Sequence, residues 1–232
     1  MGMKSVIKRT LLGKPGLRPR EISRGLLKGL TFNLDTRDKS MRLLGLDESE
    51  IASVTRRLAA EAKSAADVGA NDGWYSLYFA SRPNITRVFA FEPGEMVVKA
   101  MQKNFELNDP AFFAKTTLVT AFVGNKRGQS GQVRLDDYVS QLPEPILLKI
   151  DVEGGEIDVL EGGQKMLSLD CRLIVETHSE KLEKGCIQRL EAMGYSCRII
   201  GNAWYRALIP EARPIPHNRW FVAWKGKSLN EP

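Results

Sequence analysis

Residues 65–73 read AADVGANDG, a short apolar run that stops at an acid and turns on two glycines. A run of this length closed by Gly has the look of a buried strand, and the WYSLYFA that follows at residues 74–80 has helical character. Gly69 and Gly73 let the backbone turn tightly and approach a ligand closely, and Asp67 can anchor that turn or accept from a ligand ammonium group. The pattern returns at residues 87–92, RVFAFE, whose last residue, Glu92, can accept two hydrogen bonds from a ribose diol. Strand, glycine turn, helix and strand-end acid together open a parallel sheet that holds an adenosine-containing cofactor at its carboxyl edge. The spacing from Gly69 to Gly73 is not the G-x-G-x-x-G that seats a pyrophosphate, so a cofactor without phosphates fits better than NAD.

Outward from this unit, short apolar runs alternate with helical periods. Strands are expected at AADVGA, RVFAFE, TLVTAFVG (117–124), ILLKIDV (146–152), RLIVETH (172–178), YSCRII (195–200) and RWFVAW (219–224). Helices are expected over 74–80, 95–107, 137–141, 156–167 and 181–193. The last strand follows a Pro-rich loop, a return that favours an antiparallel placement. The fold class is α/β: a Rossmann-like, seven-stranded, mostly parallel sheet with helices on both faces and an antiparallel last strand. Ahead of it stands a small cover over 21–64. Gly25 and Gly29 sit in a strand-like stretch that suggests a hairpin, and Asp47 is placed to cap a helix carrying Ile51, Val54 and Leu58. Residues 65–232 then form one domain, and 1–20 a basic arm.

Composition narrows the class. The net charge is +6, yet residues 1–30 hold eight basic residues and one acid, leaving 26 basic and 27 acidic residues in the remainder. The basic character belongs to the arm, which reads first as a solvated, partly disordered tail and otherwise as a contact for an anionic membrane, a nucleic acid or an anionic substrate, while a nucleic-acid partner is not favoured for the body. No apolar run reaches the length of a membrane span, and three cysteines without C-x-x-C spacing suggest neither disulfides nor a zinc site, so a cytoplasmic protein is expected. Oligomeric state is not readable from the chain.

The fourth strand, ILLKID, turns through Val152, Glu153, Gly154 and Gly155 into a helix opened by Glu156. Alternation puts Lys149, Asp151 and Glu153 on one side, and the next strand ends in Glu176, Thr177 and His178, so ionisable groups converge beside the first strand. Transfer of an activated group to an alcohol needs alignment and a base, and His178 suits the latter, its tautomer fixed by Glu176, with Asp151 as second choice. Lys149 either balances the acids or polarises the acceptor. Asp151, Glu153, Glu176 and His178 also offer a donor set for a divalent cation such as Mg²⁺. Asp136 and Asp137, in RLDDYV, read as helix caps, and Trp204, Tyr205, His217 and Asn218 are candidates for the acceptor pocket.

DVGANDGWYSLYFA, VFAFEPGEMVVKAMQKNFELN, RLDDYV, LLKIDVEGGEIDVLEGG and LIVETH, in this order and spacing over residues 65–178, resemble the FkbM family of methyltransferases. GLLKGLTFNLD and GLDESEI are similar to that family's N-terminal cover. The resemblance implies a class I methyltransferase fold, S-adenosylmethionine as donor, and an oxygen nucleophile on a small molecule, secondary metabolite or glycan. It places Asp67, Gly69 and Asn71 at the methionine end, Glu92 at the ribose, and Ala121 and Phe122 beside the adenine. A nucleic-acid amino-methyltransferase would carry Asn or Asp followed by Pro-Pro and an aromatic where this chain has KIDVEGG. Two alternatives stand beside the O-methyltransferase reading: a silent cofactor-binding module, and a nucleic-acid or protein methyltransferase that uses the basic arm.

Overall fold

The computed structural model describes residues 16–37, 39–126, 131–201 and 217–226. The chain begins with a hairpin of β1 (Arg18–Glu21) and β2 (Thr31–Leu34), then helices α1 (Ser40–Leu44) and α2 (Ser49–Glu61). The sheet unit follows as β3 (Ser64–Val68), α3 (Trp74–Ala80), β4 (Arg87–Phe91), α4 (Glu95–Glu106), α5 (Pro110–Ala114) and β5 (Thr116–Val119). A two-stranded ribbon, β6 (Phe122–Val123) with β7 (Gln132–Val133), leads to β8 (Ile146–Ile150), α6 (Glu156–Gly162), α7 (Gln164–Ser168), β9 (Cys171–Thr177), α8 (Glu180–Ala192), β10 (Ser196–Ile200) and β11 (Arg219–Trp224).

Seven strands form one sheet in the order β10-β11-β9-β8-β3-β4-β5, with β11 antiparallel to both neighbours and the other pairings parallel. The strand order reverses between β3 and β8, the place where open α/β sheets bind ligands. β3 and β8 are buried at every residue, which is why they read as apolar runs rather than alternations. The hairpin, α2 and α3 pack on one face around Phe32, Leu58 and Phe79; α6, α7 and α8 cover the other around Leu148, Leu160 and Leu190.

The hairpin is docked by two asparagines four residues apart, Asn104 on α4 and Asn108 just past its end. Asn104 Oδ1 accepts from the Asn33 N–H at 3.0 Å, while Asn108 Oδ1 accepts from Thr31 N–H at 3.0 Å and its Nδ2 donates to the Thr31 carbonyl at 2.8 Å. Side-chain amides thus serve the edge of β2 where a partner strand would.

Several sequence expectations change. TLVTAFVG does not make one strand: β5 ends at Val119, and Phe122–Val123 turns away to pair with Gln132–Val133. The helix expected over 156–167 breaks at Gly163, and the neighbouring Gly162 lies so close to the β6 ribbon that a Cβ on it would come 2.0 Å from the Gly124 carbonyl oxygen. Gly25 and Gly29 fall in the turns of the hairpin at positive φ, and Gly25 lies against Gly45, where a Cβ would sit 3.0 Å from the Gly45 Cα. Asp47 does not cap α2; it accepts from Arg42 at 2.9 Å, and Glu48 holds the N-cap position. The helix expected over 137–141 is replaced by two 3-10 turns, Leu135–Asp137 and Val139–Gln141; Asp137 caps the first as expected, accepting from the Arg134 N–H at 3.3 Å, whereas Asp136 caps α7, accepting from the Lys165 and Met166 N–H groups. The arm before Gly16 and the residues Trp204 and Tyr205 lie outside the described residues.

Candidate active site

The turn after β3 is built around close backbone approach. Gly69 has φ +76°, and a Cβ there would lie 1.8 Å from the carbonyl oxygen of Asp151, so no other residue fits. Gly69 and Ala70 N–H groups donate to the Phe91 carbonyl, and Asp151 N–H donates to Val68, which laces the ends of β3, β4 and β8 together. Asn71 takes φ +47°, and its N–H donates to Glu92 Oε2 at 3.0 Å, while Glu92 Oε1 accepts from Gly94 N–H at 2.9 Å. Each carboxylate oxygen of Glu92 keeps a further lone pair for a ligand.

A cleft of about 650 Å³ runs along this edge. Gly69, Asn71 and Glu92 line one part, Ala121 and Phe122 another, and Asp151, Glu153, Glu176, His178 and Asn218 the far part. Among the described residues the sequence candidates are therefore brought together with four exceptions, of which His217 lies outside the cleft, its Nε2 3.7 Å from Glu183 Oε2. Asp67 is fully buried, where it accepts from Ser76 Oγ at 2.6 Å and faces Lys149 Nζ at 3.5 Å; it anchors the loop and does not line the cleft. Gly73 holds φ +87° against Met101, where a Cβ would come within 2.4 Å of the Met101 Cγ. Lys149 is 2% exposed, so it balances the acids rather than polarising an acceptor.

Lys149 Nζ donates to Asp151 Oδ2 at 3.1 Å and to the Gly69 carbonyl at 3.3 Å, 5.0 Å from the centroid of the Tyr75 ring. Burial works against its charge, but Asp151 and Asp67 outweigh that and hold the ammonium protonated well above neutrality. Burial likewise pushes Asp151 up, yet Lys149 and a hydrogen bond with Glu176 hold it below the usual carboxylate range.

His178 Nδ1 meets Glu156 Oε1 at 2.7 Å, and Glu156 is fully buried. Glu156, not Glu176, fixes the ring; Glu176 Oε2 stands 4.0 Å from Nε2 and Asp151 Oδ1 3.7 Å. Burial disfavours the imidazolium, but the hydrogen bond that its Nδ1–H donates to Glu156 and the charge of Asp151 raise its pKa above the ordinary histidine value. Asp151, Glu176 and His178 each offer a donor atom within 4.8 Å of the other two; exposed Glu153 is not in that group. Sequence reasoning took Glu156 only as a helix start, because its contact with His178 crosses from α6 to the end of β9.

It also missed Glu48 and Tyr75. Tyr75 donates its hydroxyl to Glu48 Oε2, which brings the cover to the underside of Lys149. Burial and the charge of Asp151 push the Glu48 carboxyl up to about 7.

Residues 129–197 match the methyltransferase FkbM domain. The resemblance read from the sequence is borne out. The chain also shares its fold with solved structures. The methyltransferase domain of bacterial CtHen1 aligns with a TM-score of 0.53 at 12% identity, over 78% of this chain and 99% of that one. An rRNA methylase from Streptococcus thermophilus aligns with a TM-score of 0.51 at 13% identity, over 77% of this chain and 97% of that one. At these identities the likeness establishes the architecture of the chain, not its acceptor. No curated protein matches its sequence. Among the described residues, no helix is long and apolar enough to cross a membrane.

Proposed function

We propose that the protein transfers the methyl group of S-adenosylmethionine to a hydroxyl of a small molecule or glycan. One observation carries this reading: a single cleft joins Gly69, Asn71 and Glu92 to Asp151, Glu176 and His178. The donor's ribose would sit on Glu92, its methionine end by Gly69 and Asn71, and its adenine near Ala121 and Phe122. The sulfonium is already an activated donor, so the protein's part is to align the acceptor in line with the methyl and take its proton. Asp151, Glu176 and the Nε2 of His178 converge where that proton would leave. Asp151 is held ionised by Lys149, and Glu156 fixes the ring of His178.

The lining also bears on the acceptor's charge. Glu92, Asp151, Glu153, Asp158 and Glu176 line the cleft, and no lysine or arginine does so among the described residues. Such a wall repels phosphorylated acceptors and supports an uncharged one over a nucleic acid. Oxygen as the nucleophile rests on the family resemblance and on the sequence KIDVEGG after β8.

The test is calorimetric binding of S-adenosylhomocysteine to the wild type and to Glu92→Ala. Loss of a charge-assisted ribose contact of about 1.5–3 kcal/mol weakens binding roughly 10- to 100-fold. Equal affinities, or no binding by the wild type, would refute the cofactor assignment.

A further inference from the structure

The three converging side chains make a donor set as well as a base. Asp151, Glu176 and His178 each offer one atom, all within 4.8 Å of one another. A hard divalent ion with about 2.1 Å bonds spaces adjacent ligands about 3 Å and opposite ligands about 4.2 Å apart. His178 Nε2 stands 3.7 Å from Asp151 Oδ1 and 4.0 Å from Glu176 Oε2, within that span.

Two further features point to a ligand. The His178 side chain is 7% exposed, and its Nδ1 is taken by Glu156, while Nε2 has no hydrogen-bond partner among the described residues and faces both carboxylates. A carboxylate on one ring nitrogen with the other free toward oxygen donors is how metal-binding histidines are oriented. The charge balance agrees. Asp67, Asp151, Glu156 and Glu176 are gathered around Lys149 and His178, and Lys149 occupies only Oδ2 of Asp151, leaving Oδ1 to the cleft.

We infer that Asp151, Glu176 and His178 bind a divalent, oxygen-preferring cation such as Mg²⁺ or Mn²⁺ at the acceptor end of the cleft. Two carboxylates with one imidazole suit a hard ion better than a thiophilic one. The inference deepens the methyl-transfer reading and rests on it for its role: the ion would bind the acceptor oxygen and lower its pKa, so the three side chains act through it rather than as free bases. Binding of the ion itself does not depend on that reading.

The experiment titrates the full chain with Mn²⁺ and follows the loss of the free-ion electron paramagnetic resonance signal. The wild type takes up one ion per chain. Asp151→Asn and His178→Ala abolish uptake or weaken it more than tenfold, Glu156→Gln weakens it roughly 10- to 100-fold, and Glu153→Gln, beside the site, changes it less than threefold. Absence of saturable uptake by the wild type overturns the proposal. So does a loss in Glu153→Gln as large as that in His178→Ala, which would mark a diffuse acidic patch. A readout on the wild type covers variants that fail to fold: Mg²⁺ must shift the imidazole ¹⁵N resonances of His178, and unchanged resonances also refute the site. S-adenosylhomocysteine affinity, measured on the same samples, separates the two claims, since failure of the cation site leaves Glu92-dependent binding intact.

Discussion

Glu48→Gln isolates the acid that joins the cover to the site. An ordinary glutamate titrates near 4.5, and burial together with the charge of Asp151 brings this carboxyl to about 7, against the pull of Lys149 and the Tyr75 hydroxyl. The folded protein therefore binds this proton more tightly than the unfolded chain does. The sign follows: the contribution is fully present below pH 4.5 and is lost as pH rises through 7. At about 1.4 kcal/mol per pH step, the loss between pH 4.5 and 8 amounts to about 2–3 kcal/mol. Glutamine keeps a carbonyl to accept from Tyr75 but has no charge to bury. The left-handed backbone at residue 48, φ +46°, is common to both proteins and cancels in the comparison. Urea unfolding at pH 5, 6, 7 and 8 reads the difference. The two proteins should be close in stability at pH 5, and the variant should be more stable by about 2 kcal/mol at pH 8. His178 titrates in both and drops out of the difference. Parallel curves would refute the burial of Glu48 beside Asp151.

Two further substitutions test the frame that holds the site. Asn104→Leu keeps volume but strands the Asn33 N–H and the Asp72 carbonyl, both partners of the Asn104 amide, and should cost about 2–5 kcal/mol in urea unfolding; a change under 1 kcal/mol would show that the hairpin does not depend on α4. Gly69→Ala drives a methyl into the Asp151 carbonyl oxygen, whereas Gly73→Ala meets only the flexible side chain of Met101. Differential scanning calorimetry should therefore show the midpoint falling by about 10 °C or more for the first, and by clearly less for the second.

The sheet was legible because its strands are buried on both faces and stop at polar turns, so apolar runs such as Ile146–Ile150 announce themselves. That Gly69 and Glu92 would meet at one edge of the sheet was legible for a related reason: glycines and strand-end acids are local signals. What escaped depends on partners distant in sequence. TLVTAFVG has unbroken strand propensity, but nothing in it tells that Phe122 and Val123 will pair with Gln132 and Val133. Glu156 looks like any first-turn acid until β9 delivers His178 to it. Glu48 looks like a solvated residue before a helix; its carboxyl instead forgoes capping α2 and turns inward to Tyr75.

That inward turn bears on what the cover is for. Asp72, next to the cleft residue Asn71, is held by Lys39 and by Arg42 at 2.8 and 2.9 Å, and its carbonyl accepts from Asn104. Arg42 also grips Asp47, so one guanidinium ties the start of α2 to the glycine turn. Glu48 and Asn71 are the non-glycine residues with positive φ among those described, and they lie next to the two acids Arg42 joins. Residues hold such conformations only where their surroundings over-determine them, at a cost of order 1–3 kcal/mol each. The ion pairs are partly buried, with Arg42 and Asp72 15% and 13% exposed, so screening does not erase them as it does pairs in open solvent. The conformation of Asn71, whose N–H positions Glu92, is thus set in part by residues 39–48. Under the methyl-transfer reading, the cover belongs to the cofactor site from below through Asp72 and to the acceptor site through Tyr75 and Lys149. A substitution in Arg42 should therefore reach donor binding without touching a residue that meets the donor.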